Sequence, residues 1–231
     1  MTLTELLTKF ALKKDETKLY EQAFIHRSYI NENPRTKLHH NERLEFLGDA
    51  VLELAVTEFL YKKFPGQNEG DLTAYRSALV NAVTIGKVAE DLQFNDLMLL
   101  SKGEAKDVSK ARQSILADAY EAFLGAIYLS EGFDSAKRVV GETVILKTEE
   151  VIAKGLYRDA KSHVQEKSQE LYSVTPSYNL IDQMGPDHDK RFIIAISFGE
   201  QQIAIGEGKS KQEAETSAAR NALLKKGWIK A

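Results

Sequence analysis

The sequence predicts a two-domain protein: an all-α region through about residue 152, then a small mixed α-β module over 159–231. Three observations carry this. Apolar residues recur at helical spacing through the first two thirds of the chain. The pattern then changes to a run of β-branched and aromatic residues, Phe192–Phe198, with a second short one at Ile203–Ile205. Turn residues, Pro176 and Gly185-Pro186, collect near that change.

In chain order, helices are expected over roughly 3–12, 16–29, 41–63, 71–92, 110–129 and 133–153. Leu44, Leu47, Val51, Leu54, Ala55 and Phe59 form the stripe of the third, which Pro65 and Gly66 stop. Leu79, Ala82, Val83, Gly86 and Ala89 mark the fourth. Gly132 separates the last two. Residues 153–158 read as a short linker. A helix over 159–172, the two strands, a turn holding Gly206 and Gly208, and a helix over 210–225 complete the chain. Ala214, Ala218, Ala222 and Leu223 give the last helix one tight face.

Composition narrows the function. The 231 residues carry a formal net charge of -3, so no overall attraction to nucleic acid is evident, although a local basic face is compatible with that total. There is no cysteine, which excludes disulfide partners, thiolate metal sites and cysteine nucleophiles. The first residues do not read as a secretory signal and no stretch is apolar enough to span a membrane. A cytoplasmic protein is the default expectation.

The chemistry is concentrated in Asn41-Glu-Arg-Leu-Glu-Phe-Leu-Gly-Asp49. Glu42, Glu45 and Asp49 fall on one helix face among Leu44, Phe46, Leu47, Val51 and Leu52. Carboxylates against an apolar stripe are costly unless paired or metal-bound. Asp118 and Glu121 repeat the pattern inside Ile115–Ile127. If the two helices face each other, Glu45, Asp49, Asp118 and Glu121 make an all-oxygen site of the kind magnesium prefers. Glu69, in the 67–71 loop, adds a charge or positions a water. The competing reading is a set of surface ion pairs with Arg43 or nearby lysines.

The segment 41–52 resembles the signature of the bacterial ribonuclease III family. His26-Arg-Ser-Tyr29, Glu69-Gly-Asp-Leu-Thr73 and Ile115–Tyr128 match it in order and separation. The resemblance implies an all-α endonuclease domain that forms a homodimer and cuts double-stranded RNA with Mg²⁺, Mn²⁺ being able to substitute. It implies that Glu45, Asp49, Asp118 and Glu121 are the principal metal acids, with Glu42 and Glu69 further acids of the catalytic valley. It also implies that Phe46 plugs into a pocket of the partner subunit; without the family, that position reads as an ordinary core phenylalanine. The implied reaction is in-line attack by metal-bound water, leaving 5′-phosphate and 3′-hydroxyl ends with a two-nucleotide 3′ overhang. Ribosomal RNA precursor processing is the implied main role. One stretch departs from the family: a Gly-Gly-Arg element is common where this chain has Asp107-Val-Ser-Lys-Ala-Arg112.

The C-terminal module resembles the double-stranded RNA-binding domain, an α-β-β-β-α unit, through Pro176-Ser-Tyr178, Gly185–His188, Phe192 and Gly206–Glu215. The resemblance implies minor-groove contacts from Gln165, Gln169 and His188, and phosphate contacts from Lys209 and Lys211 at the start of the last helix. Taken alone, those residues also fit solvated helix and turn positions. Gln212 stands where the family usually has a basic residue, and the module is nearly charge-balanced. Two rivals compete: an RNA-binding protein that does not cut, and a metal-dependent phosphohydrolase of small molecules. The first is disfavoured by retention of every acid, the second by the C-terminal module.

Overall fold

The computed structural model describes residues 1–13, 17–106, 110–153, 155, 157, 159–186 and 190–229. It divides into two compact units, Met1–Glu149 and Glu150–Ala231. Among the described residues no helix is long and apolar enough to cross a membrane.

The first unit is helical: α1 (Leu3–Lys9), α2 (Thr17–Ala23), α3 (Arg27–Glu32), α4 (Glu42–Lys63), α5 (Glu69–Val80), α6 (Ala82–Asp91), α7 (Lys110–Glu131) and α8 (Phe133–Glu142), with α9 (Thr148–Ala153) running across the division. Three of the expected helices break, each for a local reason. The helix expected over 16–29 stops at Ala23. After a turn at Phe24 the chain pairs Ile25 with Leu99: Leu99 N–H donates to Phe24 O and His26 N–H to Leu99 O, a parallel bridge that helical residues cannot make. The helix expected over 71–92 breaks at Asn81, whose extended backbone ends α5 and whose side chain accepts from Thr84 N–H to start α6. The helix expected over 133–153 breaks at Thr143. Its hydroxyl donates to Val139 O and lies 2.6 Å from the buried Tyr120 hydroxyl, a tertiary bond that overrides continuation.

The long helices α4 and α7 form the centre. On one side of α7, Tyr120 and Phe123 enter an aromatic cluster with Phe10, Tyr20, Phe24 and Phe94, with Phe94 and Phe123 edge to face at 5.7 Å. All six rings are buried. On the other side, α7 meets α4 at backbone contact. A Cβ built on Gly48 would lie 1.7 Å from Glu121 O, and one on Gly125 would lie 2.2 Å from Leu44 O. Three residues expected in apolar stripes, Leu54, Ala82 and Val83, are exposed.

The second unit packs α10 (Ala160–Tyr172) and α11 (Lys211–Lys225) on an antiparallel sheet of order β1-β2-β3, from β1 (Pro176–Met184), β2 (Arg191–Phe198) and β3 (Gln201–Gly208). Val164, Ile196, Phe198, Ile203, Ala218, Ala222 and Leu223 form its core. Pro176, expected in a turn, opens β1, since the first residue of an edge strand tolerates a missing N–H. Gly206 and Gly208, also expected in a turn, lie within β3. Their role is close approach: a Cβ at Gly206 would sit 2.0 Å from Ala218 N, and one at Gly208 2.5 Å from Ala214 N.

Candidate metal centre and nucleic-acid interface

The glycine contact between α4 and α7 determines where the acids meet. Glu45 and Asp49 flank Gly48 on α4, and Asp118 and Glu121 precede Gly125 on α7. Glu45, Asp118 and Glu121 are each half-buried and offer one carboxylate oxygen apiece, all within 4.8 Å of one another. Asp49 is exposed at the rim and stands outside that set, yet its charge acts on both Glu45 and Glu121.

Electrostatic repulsion is built into this cluster. Burial first, then the charges of Asp49, Asp118 and Glu45, pushes Glu121 up to about 8. Burial, followed by Asp118, Glu42 and Asp49, pushes Glu45 up to about 6. Burial raises Asp118, and His26 opposes that rise. Three oxygen donors with uncompensated negative charge suit a hard divalent cation, which offsets the repulsion and takes oxygen ligands. The cluster is thus able to coordinate a divalent metal.

The remaining acids lie elsewhere. Glu42 pairs with Arg27 at 3.5 Å and His40 at 3.6 Å, rather than with the expected Arg43 or lysines. Glu69 is the first residue of α5, after the Asn68 cap, and lines a cavity of about 480 Å³ with Thr57, Tyr61, Gln67 and Arg76. It does not join the cluster of its own chain. Phe46 is 82% exposed, which overturns its reading as a core residue. It stands on the lip of a cavity of about 620 Å³ lined by Leu19, Gln22, Leu44, Leu47 and Leu129. Gly48 and Gly125 are the site-building residues that sequence reasoning passes over. The signal was a glycine inside each apolar helical run, the usual mark of a close packing contact.

Comparison with known proteins follows the same outline. A family model described as ribonuclease-III-like matches residues 16–148, and one for the double-stranded RNA binding motif matches 160–226. The Ribonuclease 3 of Geobacillus sp. strain WCH70 is 44% identical, over 96% of this chain and 89% of its own length. That of Enterococcus faecalis is 43% identical over 95% of each chain. The chain belongs to the ribonuclease III family. It is an endoribonuclease, a phosphodiester hydrolase of that family's double-strand-cutting type. The nuclease domain of ribonuclease III from Campylobacter jejuni superposes with a TM-score of 0.57 at 39% identity, covering 64% of this chain and 98% of that one. A second structure of that domain gives 0.53.

In the RNA-binding unit, Gln165 and Gln169 lie exposed one turn apart on α10, with Gln169 Nε2 donating to Thr175 Oγ1 at 3.3 Å. Lys209 and Lys211 are exposed where β3 passes into α11. Ser210 caps that helix by accepting from Glu213 N–H, while the Glu213 carboxylate accepts from Lys209 N–H. The helix start therefore already holds one acid beside its two lysines. His188, and residues 107–109 of the divergent stretch, lie outside the described residues. Arg112, which closes that stretch, donates from Nε to Asn95 Oδ1 at 2.7 Å.

Proposed function

We propose that this protein cuts double-stranded RNA as a homodimer with Mg²⁺ in each acidic site, Mn²⁺ being able to substitute. The products carry 5′-phosphate and 3′-hydroxyl ends with two-nucleotide 3′ overhangs, and the setting is cytoplasmic processing of ribosomal RNA precursors and other RNA maturation or decay. The observation that carries the metal assignment is the approach of the Glu45, Asp118 and Glu121 oxygens to within 4.8 Å.

Glu45, Asp118 and Glu121 would hold the metal, with Asp49 adding charge from the rim. When bound, Mg²⁺ supplies an acidified water and offsets charge on the scissile phosphate. The half-buried carboxylates orient their oxygens inward and limit water around them. Gln165 and Gln169 face the 2′-hydroxyls of an A-form minor groove, and Lys209 and Lys211 the phosphates beside it. The exposed Phe46 and the cavity beside it suit a two-fold contact in which each phenylalanine fills the other subunit's cavity. Glu69 then serves the partner's site, since it lies apart from the acids of its own chain.

The test is cleavage of a labelled RNA duplex of about 30 base pairs, ample for the roughly 16 that one RNA module spans. Glu121→Gln is expected to abolish Mg²⁺-dependent cuts on both strands while duplex binding is retained. Normal turnover by that variant would remove the metal-centre assignment.

A further inference from the structure

A cavity of about 640 Å³ lies between the C-terminal half of α4 and α8, and the proposed cleavage chemistry leaves it unused. Its apolar lining comes from Ala55 and Phe59 on α4, Gly141 on α8 and Ile145 in the turn that follows. Ala55 lies six residues beyond Asp49, about 9 Å along the helix, so the cavity is separate from the acidic cluster. Nine residues, about two and a half turns, separate Phe46 from Ala55 and put them on opposite faces of α4. The dimer contact proposed above therefore leaves the cavity open.

Gly141 sets this cavity apart. A Cβ on Gly48, Gly86 or Gly125 would lie within 2.5 Å of another helix's backbone, so close packing explains each of those glycines. A Cβ on Gly141 would meet no atom within 4 Å among the described residues. Glycine is less stable than alanine inside a helix, and no packing contact here requires it. What its missing side chain leaves is space at the cavity wall.

The walls are cationic. Lys62, Lys63, Lys137 and Arg138 line the cavity against two acids, Glu58 and Asp134, which leaves two positive charges in excess in a chain of net charge -3. Glu58 is already engaged: it accepts from Lys62 and, at 2.6 Å, from Lys137, which ties α4 to α8. Lys63 has no ion-pair partner among the described residues. Arg138 has Glu142 at 3.4 Å across an exposed turn, a pair that an anion can displace.

We propose that this cavity binds a nucleoside 5′-monophosphate. Its volume is that of a small-molecule site, about 300–1,000 Å³. The apolar lining takes the base, with Gly141 leaving it room, and Lys63 and Arg138 take the phosphate. A phosphate monoester carries about -1.5 to -2 near neutral pH, which matches the excess of two cations better than a single carboxylate does.

The experiment is calorimetric titration of the full-length protein in EDTA with adenosine 5′-monophosphate, adenosine and inorganic phosphate. The monophosphate is expected to bind with a dissociation constant below about 1 mM, and at least about 10-fold more tightly than either fragment. Gly141→Leu fills the cavity and should weaken binding about 10-fold or more without lowering the melting temperature, since leucine is the better helix former. Lys63→Glu combined with Arg138→Glu should weaken it as much through charge alone, so the test stands even if the leucine disturbs the fold. Glu121→Gln should keep wild-type affinity for the monophosphate. No binding at about 1 mM overturns the proposal. So does binding that survives both the filled cavity and the charge reversal, phosphate binding as tight as the nucleotide's, or a loss in Glu121→Gln that places the nucleotide at the acidic cluster.

Discussion

Glu121 is held where a carboxylate is costly. Its carboxyl titrates at about 8 in the folded chain against an ordinary value of 4.5, because burial and the Asp49, Asp118 and Glu45 charges all disfavour ionisation. A folded pKa above the unfolded one means that the native state holds its proton more tightly. The associated stability is complete below about 4.5 and is lost as pH rises through about 8. Glu45 adds the same sign over a narrower window, up to about 6. In EDTA, the melting temperature is therefore expected to fall between about pH 5 and pH 8. Metal ligation needs the deprotonated acids, so the gain in melting temperature on adding Mg²⁺ grows over the same range. Calorimetry at several pH values checks both, and Glu121→Gln should flatten the EDTA profile. An Mg²⁺ gain independent of pH would show that these carboxyls do not govern binding.

At the scale of elements, two close approaches build the two sites. The crossing of α4 and α7 depends on hydrogen at Gly48 and Gly125, since either Cβ would meet backbone rather than a side chain able to move aside. Gly48→Ala is expected to cost about 1–3 kcal/mol or more, the usual range for overpacking. Cleavage should fall further than stability, because separating the helices spreads the Glu45, Asp118 and Glu121 oxygens. Denaturant unfolding and duplex cleavage of the same preparation test this; full activity in a folded Gly48→Ala protein contradicts it. In the second unit, Gly206 and Gly208 let β3 lie against α11, which leaves Lys209 and Lys211 at the helix start. Replacing both lysines by alanine is expected to weaken duplex binding whatever the base sequence. It should also lower the salt-dependence slope by about 1 for each phosphate that is no longer neutralised. A slope unchanged by the double substitution would assign phosphate binding to other residues.

At the scale of the whole molecule, the question is how many chains make one active site. Glu69 lines a cavity with Tyr61 and Arg76 and stands apart from the acids of its own chain. If it serves the partner, a heterodimer of Glu69→Ala and Glu121→Gln subunits contains one fully intact composite site. That mixture is expected to nick one strand of the duplex, while each homodimer is impaired. Inactivity of the purified heterodimer would place Glu69 in the site of its own chain, and full activity of the Glu69→Ala homodimer would place it outside catalysis.

The expected helices that broke show where local information ends. Asn81 ends one helix and starts the next, and that use depends on its bond to Thr84 and on packing, which the helical stripe over 71–92 does not register. Thr143 breaks a helix through a bond to Tyr120, more than twenty residues away in sequence. Residue pattern alone gave two of the three strands, and the third came only with the resemblance to an α-β-β-β-α unit: most of β1 is exposed, so no apolar alternation marks it. The acids behaved differently. Glu45, Asp118 and Glu121 stood out because carboxylates set into apolar helical runs require an explanation, and helical period alone puts Glu45 on one face with Glu42 and Asp49, and Asp118 on one face with Glu121.

Periodicity and residue type, which are local properties, were enough for the two-domain order, the helical and mixed classes of the two units, and the candidate acids of the proposed metal centre. Only the tertiary structure decided that three of the four principal acids converge while Asp49 stays at the rim, that Glu42 pairs with Arg27 and His40, that Phe46 faces outward, and that Gly48 and Gly125 bring two helices into backbone contact. Those facts depend on distances between residues remote in the chain, which close packing sets and no single stretch of sequence contains.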